Sequence, residues 1–313
     1  NFVTPFFVDN ESIAREIVEV SNQQQKPIVC NLMTDRRQWT EVVKILQDGG
    51  VPCYALPGEA ARAMTALVRY NETRNREIGE VQIFSDVSKS EGTKILESAK
   101  AAGKSSLSAE EVYSILEAYH IPVADWRMAT NTDEAEKAAA QIGYPVVIKA
   151  DAESIVHKSD MGGVAVDLAD GAAVRAAVEK MQADFSADDL RFFIQQYLPG
   201  GLELIMGAKA EEGLGHAVMF GLGGIYVEIM KDVVFNLTPV SSGEAKEMLS
   251  AIKGSALLEG VRGQKGVDQD KLIEIIQRLS QLLNDLPAIQ EMDLNPLMAF
   301  EDKVSVVDAR ISI

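Results

Sequence analysis

Short apolar runs of strand length alternate with amphipathic helical stretches along most of this chain, and that alternation limits the fold to an α/β class. Within residues 1–77, Ile13, Ile17, Val18 and Val20 mark a first helix, and Lys26-Pro-Ile-Val-Cys-Asn-Leu-Met33 reads as a strand. Trp39, Val42, Val43 and Leu46 fall at helical spacing, closed by Gly49-Gly50. Val51-Pro-Cys-Tyr-Ala-Leu56 is a second strand, and a helix follows from Glu59 to about Asn71. Strands alternating with helices predict a parallel sheet.

Residues 72–107 are polar with poor apolar periodicity; Ser85 to Gly92 reads as a linker and Ile95 to Ala102 as a short helix. The pattern sharpens at Ser108-Ala-Glu-Glu111, a capping box ahead of Val112, Ile115, Leu116 and Tyr119. Predicted strands follow at 121–126, 144–149, 162–168, 191–197, 202–206, 217–220 and 226–230. Helices are expected over 133–142, 171–183, 243–252 and 272–283, and a strand pair over 291–299 and 304–311.

With 313 residues the chain can bury a sizeable core, and its length fits two or three domains. Acidic residues outnumber basic ones 47 to 30, a net charge of −17, which disfavours nucleic acid and anionic membrane surfaces as partners. A small anionic substrate would need a local cluster of donors or a metal. Cys30 and Cys53 form no CxxC and read as reduced core residues of a cytoplasmic protein. The start, Asn1-Phe2-Val3, lacks an initiator Met and a signal peptide and is expected to be the interior of a longer chain.

Four constellations could carry chemistry. Lys149 ends the buried run Val146-Val-Ile-Lys, so its ammonium leaves the sheet end; it is a point charge for phosphate or a solvated strand-end lysine. Ser154-Ile-Val-His-Lys-Ser-Asp-Met-Gly-Gly163 is too long for a hairpin turn and offers hydroxyls, an ammonium and glycines that could wrap a triphosphate. Its His157 is either a nucleophile toward phosphorus or a solvated loop histidine. His120 is expected to bond the last carbonyls of its helix or to favour its dipole, and both His120 and His216 to be mainly structural. Gly221-Leu-Gly-Gly224 is not a dinucleotide fingerprint; it is a plain turn or a close backbone approach to a ligand, with Glu228 beyond it. Finally, Asp293 and Asn295 sit i, i+2 on one strand, and Asp308 lies on the returning strand. Carboxylate and amide oxygens converging there make a hard-oxygen site for Mg²⁺, rather than a strand pair with polar faces.

Together these residues resemble the ATP-grasp fold, and more narrowly the nucleotide-binding half of the NDP-forming acyl-CoA synthetases, which include succinyl-CoA synthetase and ADP-forming acetyl-CoA synthetase. Five motifs carry the likeness in order over about 105–313: Gly143-Tyr-Pro-Val-Val-Ile-Lys149, His157-Lys-Ser-Asp-Met-Gly-Gly163, Gln195-Gln-Tyr-Leu-Pro-Gly-Gly-Leu-Glu203, Gly223-Gly-Ile-Tyr-Val-Glu228 and Asp293-Leu-Asn-Pro-Leu297. Pro57-Gly58-Glu59 with Ala60-Ala-Arg-Ala-Met64 is similar to the flavodoxin-like ligase-CoA domain that precedes ATP-grasp in single-chain members.

The resemblance implies a partial flavodoxin-like domain (1–78), a linker (79–104) and a two-lobed ATP-grasp domain (105–313). It implies that Lys149, with Lys158 and Ser159 of the loop, contacts ATP/ADP phosphates. The strand edge at Gln195, Tyr197 and Leu198 would meet the adenine through backbone groups, and Glu203 would hold the ribose. Asn295 and Asp308 would bind Mg²⁺. Asp293 stands where succinyl-CoA synthetases carry Glu and would orient a phosphohistidine. His157 resembles the swinging-loop histidine that exchanges phosphoryl with the nucleotide. CoA would be bound by a CoA-binding domain or subunit outside this chain, in an enzyme expected to be oligomeric. Two other readings stay open: an ATP-grasp carboxylate–amine ligase, and the non-catalytic nucleotide-binding module of a lysine acetyltransferase-type protein.

Overall fold

A computed structural model describes residues 8–33, 39–152, 162–185, 187, 189–224, 231–261, 263 and 265–313. The chain divides into two compact units, 1–77 and 78–313.

The first unit holds α1 (Asn10–Gln23), β1 (Cys30–Asn31), α2 (Thr40–Asp48), β2 (Cys53–Tyr54) and α3 (Pro57–Asn75). Strands β1 and β2 pair in parallel, as the alternation predicts. Each is two residues long, far shorter than its apolar run. Apolar character marks a buried extended segment, but a ladder also needs a neighbour at every position. The core gathers Ala14, Cys30, Leu32, Trp39, Val42, Leu46 and Val51.

The second unit opens with residues that read as a linker in sequence but are docked. Phe84 exchanges two hydrogen bonds with the Gln281 side chain, and Gly243 N–H donates to Ile78 O. The Arg278 guanidinium forks onto Asp86 at 3.0 Å on both arms and lies 4.0 Å from the Phe84 ring centre. Helix α4 (Lys89–Ala101) starts inside the expected linker, and α5 (Ala109–Ala118) carries the full Ser108–Glu111 capping box.

A small lobe follows, with β3 (Trp126–Ala129), α6 (Thr132–Ile142), β4 (Val146–Asp151), β5 (Val164–Leu168), α7 (Gly171–Asp184) and β6 (Arg191–Gln196). Its sheet runs β3-β6-β4-β5, all antiparallel. The expected 121–126 strand is displaced: β3 begins at Trp126, while Val123 makes only a bridge to Val306. Alternate residues of β4 and β6 (Val146, Ile148, Ala150, Phe192, Ile194) bury one face against α6 and α7. The other alternate set, Lys149, Phe193 and Gln195, therefore projects from the opposite face.

The large lobe contains β7 (Leu202–Glu211), β8 (Gly215–Leu222), β9 (Val233–Leu237), α8 (Ser242–Ala251), α9 (Ala256–Glu259), α10 (Gln269–Asp285), β10 (Glu291–Ala299), β11 (Val304–Val306) and β12 (Ala309–Ser312). Its sheet runs β11-β10-β7-β8-β9, with β12 also on β10. Helix α10, capped by the Asp268 side chain, seals it with Leu272, Ile275, Ile276, Leu279, Leu282 and Leu283, all fully buried. Each such side chain contributes about 1.5–3 kcal/mol before conformational entropy is counted. The expected strand at 226–230 lies outside the described residues. His216 is structural as expected: its buried ring places Nε2 2.8 Å from Ile289 O, so Nε2 carries the donating proton. His120 differs, since its Nε2 lies 2.9 Å from Asp86 O rather than on its own helix carbonyls.

Candidate nucleotide and metal site

The site is built where the returning strand pair breaks. β10 pairs with β12 over Glu291–Leu294 and with β11 over Leu297–Ala299. Between these stretches, Asn295 and Pro296 both face Ile205 of β7, a bulge that shifts the register. The extra residue turns Asn295 outward, where it is exposed, while Leu294 and Leu297 stay in the core. On the other side, Val307 and Asp308 separate β11 from β12. The two irregularities are stitched together: Asn295 N–H donates to Asp308 O at 3.0 Å, and Val307 N–H donates to Pro296 O at 3.1 Å.

Lys149 reaches this point from the small lobe. Its Nζ donates to Val307 O and to Asp308 Oδ1, each at 2.7 Å, with its side chain 17 % exposed. The ammonium lies 5.9 Å from the Phe193 ring centre. Phe193 stacks on Trp126 at 5.3 Å, and both rings meet Tyr113 edge-on. The lysine is therefore neither loosely solvated nor isolated; it spans the two lobes.

Asp293 shares the neighbourhood. Burial pushes its carboxyl above the usual range; Arg310 pulls it down, while the charges of Asp308 and Glu291 push it further up. Two mutually repelling carboxylates beside an outward amide form a donor set that a hard divalent cation would stabilise. Among the described residues no group of three or more His, Cys, Asp or Glu is placed to hold a metal. The Asp308 carboxylate and the Asn295 amide are oxygen donors of the kind Mg²⁺ takes when water and phosphate oxygens fill the rest of its shell.

Glu203 lies on β7, exposed on the same sheet, opposite Met298. Gly223 N–H donates to Glu203 O at 2.8 Å. A Cβ on Gly223 would sit 2.9 Å from the Glu203 carbonyl carbon, and one on Gly224 2.6 Å from Glu203 Oε2. Gly224 also has φ +60°. Gly223 and Gly224 are therefore required for close approach to Glu203, whereas Gly221 lies against the Asp232 carbonyl just ahead of β9.

Gln195 is placed differently from its neighbours. Its backbone lies in register between Trp126 and Val147, and its buried side chain donates to Tyr113 Oη at 2.9 Å. The free end of β6 starts beyond Gln196: Tyr197 N–H is bound by Pro145 O, and Leu198 follows half-exposed. His157, Lys158, Ser159 and Glu228 lie outside the described residues. The structure thus brings Lys149, Asp293, Asn295 and Asp308 together. Sequence reasoning missed the Lys149–Asp308 pair and the aromatic stack under it. Only the alternation of β4 and β6 hinted at which face Lys149 would share with Phe193.

A model of the ATP-grasp domain matches residues 98–313. The chain is 39 % identical over 310 residues to 4-hydroxybutyrate–CoA ligase [ADP-forming] of Nitrosopumilus maritimus, covering 97 % of this chain and 44 % of that protein. It is 41 % identical over 222 residues to acetate–CoA ligase [ADP-forming] I subunit beta of Pyrococcus furiosus, covering 69 % of this chain and 95 % of that subunit. Among solved structures it is similar to the dinucleotide forming acetyl-coenzyme A synthetase 1 of Ca. Korarchaeum cryptofilum. That protein was solved with coenzyme A and Mg-AMPPCP, its phosphohistidine segment pointing towards the nucleotide binding site. The match has a TM-score of 0.65 at 37 % identity, over 71 % of this chain and 99 % of that one. The chain spans less than half the length of the Nitrosopumilus ligase. The two-lobed sheets, the ordered motifs and these relationships agree: the chain belongs to the ATP-grasp domain family, in the superfamily of ADP-forming acyl-CoA synthetases.

Proposed function

We propose that this chain is the nucleotide-binding part of a cytosolic ADP-forming acyl-CoA synthetase, which reversibly converts acid, CoA and ATP into acyl-CoA, ADP and phosphate. The observation that carries this reading is the convergence of Lys149, Asn295 and Asp308 where the two lobes meet. Lys149 donates to a carboxylate and a carbonyl, an anionic and a dipolar oxygen acceptor. A nucleotide phosphate is the same kind of acceptor and can replace them.

In this reading Lys149 holds phosphate charge, with Lys158 and Ser159 contributing from the loop. Tyr197 and Leu198, at the free end of β6 beyond Gln195, offer backbone groups to the adenine, and Glu203 receives the ribose hydroxyls. Asn295 and Asp308 would hold Mg²⁺, which supplies charge neutralisation at the phosphate oxygens when bound. His157 attacks the terminal phosphorus: an N–P bond forms, the P–O bond to ADP breaks, and ADP leaves with the electron pair. Asp293 orients the phosphorylated imidazole. CoA and the acid bind on a partner domain or subunit. The partial flavodoxin-like assignment of 1–78 belongs to the same proposal.

Calorimetric titration with ATP and ADP, with and without Mg²⁺, tests the nucleotide site. One charge-assisted hydrogen bond is worth about 1.5–3 kcal/mol. Lys149→Met is therefore expected to weaken nucleotide binding at least about tenfold, and Asp308→Asn to abolish the Mg²⁺ enhancement. Unchanged affinity and Mg²⁺ response in both folded variants would remove the site from this location.

A further inference from the structure

The chain has two cysteines in 313 residues, 23 positions apart and on different strands. The parallel pairing of β1 with β2 nevertheless sets Cys30 directly opposite Cys53. Neighbouring strands lie about 4.8 Å apart, and in-register partners project to the same face. That face is the apolar one: Cys30 is buried among Ala14, Leu32, Val42 and Leu46, and Cys53 packs against the same cluster. Asn31 and Tyr54, the next pair, alternate to the other face.

Both sulfurs are held as thiols. Neither is in a disulfide, and Cys53 Sγ lies 3.6 Å from Val51 O, to which its S–H donates. Burial pushes the Cys30 thiol up. A bridging centre making two bonds of about 2.3 Å, the length of a zinc–thiolate bond, has the reach to join thiols on in-register neighbouring strands. An open groove of about 620 Å³ between α1 and β1, lined by Ile13, Ile17, Val20 and Ile28 with Ser12, Glu16 and Asn31 beside them, reaches Cys30. Its apolar walls suit an aromatic substituent.

We propose that Cys30 and Cys53 form a dithiol site for a trivalent, aryl-substituted thiophile of the organoarsenic type. In the capture step R–As=O gives up its oxygen as water, the two protons coming from the two thiols. Two As–S bonds form, and arsenic stays trivalent, so no oxidant or reductant is needed. The site is independent of the nucleotide chemistry.

The test uses the full chain in native buffer with phenylarsine oxide, followed by excess glutathione and intact-mass measurement. The expected result is one adduct per chain, both thiols lost to a thiol reagent after unfolding, and an adduct resistant to glutathione but stripped by 2,3-dimercaptopropanol. In Cys30→Ser and Cys53→Ser glutathione should remove it. The wild-type thermal midpoint should rise with the arsenical, because the folded strands present the pair. A wild-type adduct that glutathione strips would overturn the proposal. So would a midpoint that falls, since that means only the unfolded chain is bridged. These two wild-type readouts stand even if a serine variant fails to fold.

Discussion

Replacing Tyr113 with Phe isolates one buried hydrogen bond that joins α5 to the small-lobe sheet. Tyr113 and Gln195 are each 1 % exposed, and the Gln195 amide donates to the phenol oxygen at 2.9 Å. The substitution keeps the ring and its edge-on contacts with Trp126 and Phe193. What it removes is the acceptor, leaving the buried Gln195 amide without the partner it donates to. Stranding such a group costs about 1–3 kcal/mol. For a unit of this size each kcal/mol moves the thermal midpoint by roughly 2–4 °C, so a loss of about 2–12 °C is expected. Calorimetric melting of the purified chain reads it directly. The companion variant Tyr113→Phe/Gln195→Met removes both polar partners at nearly constant volume and should recover most of the loss. If the single variant melts within a degree of wild type, or the double variant melts lower still, the bond does not hold the lobes as described.

Gly224→Ala places a Cβ against Glu203 Oε2 at a backbone φ of +60°. It should cost about 1 kcal/mol of stability and weaken ATP more than a ribose-lacking triphosphate, both read by titration. Acid should destabilise the second unit. Arg278 holds Asp86 below the usual carboxylate range, and at Glu274 burial is outweighed by Lys271 and Arg278. Depressed folded values mean this stability is complete above the unfolded pKa and lost as pH falls through the folded ones. The thermal midpoint should therefore drop steadily below the ordinary carboxylate range, and Arg278→Met should flatten that drop.

Much of the second unit was legible because its elements bury one face each. The 272–283 periodicity and the Ser108–Glu111 box survive in the structure as read. The helix expected at Ile95–Ala102 lies within α4, but the docking of the residues before it was illegible for a physical reason. They are fastened by bonds from Glu80 to Ser242 and from Phe84 to Gln281 and by the Arg278 fork on Asp86, none of which leaves an apolar period. The strand read over 304–311 is cut at Val307–Asp308 because the bulge at Asn295 needs that gap, and a bulge is a two-strand property. Lys149, Asn295 and Asp308 were each visible as motif residues. Their union was not, since the Lys149–Asp308 pair joins positions 159 apart.

On the proposed function this chain carries the phosphoryl-accepting half of an acyl-CoA synthetase. Intact-mass measurement after incubation with MgATP, with His157→Ala in parallel, tests it most directly. The account predicts one acid-labile, base-stable phosphoryl group on the wild-type chain and none on the variant. A wild-type chain that binds MgATP yet stays unphosphorylated, or a variant that carries the same group, would contradict it.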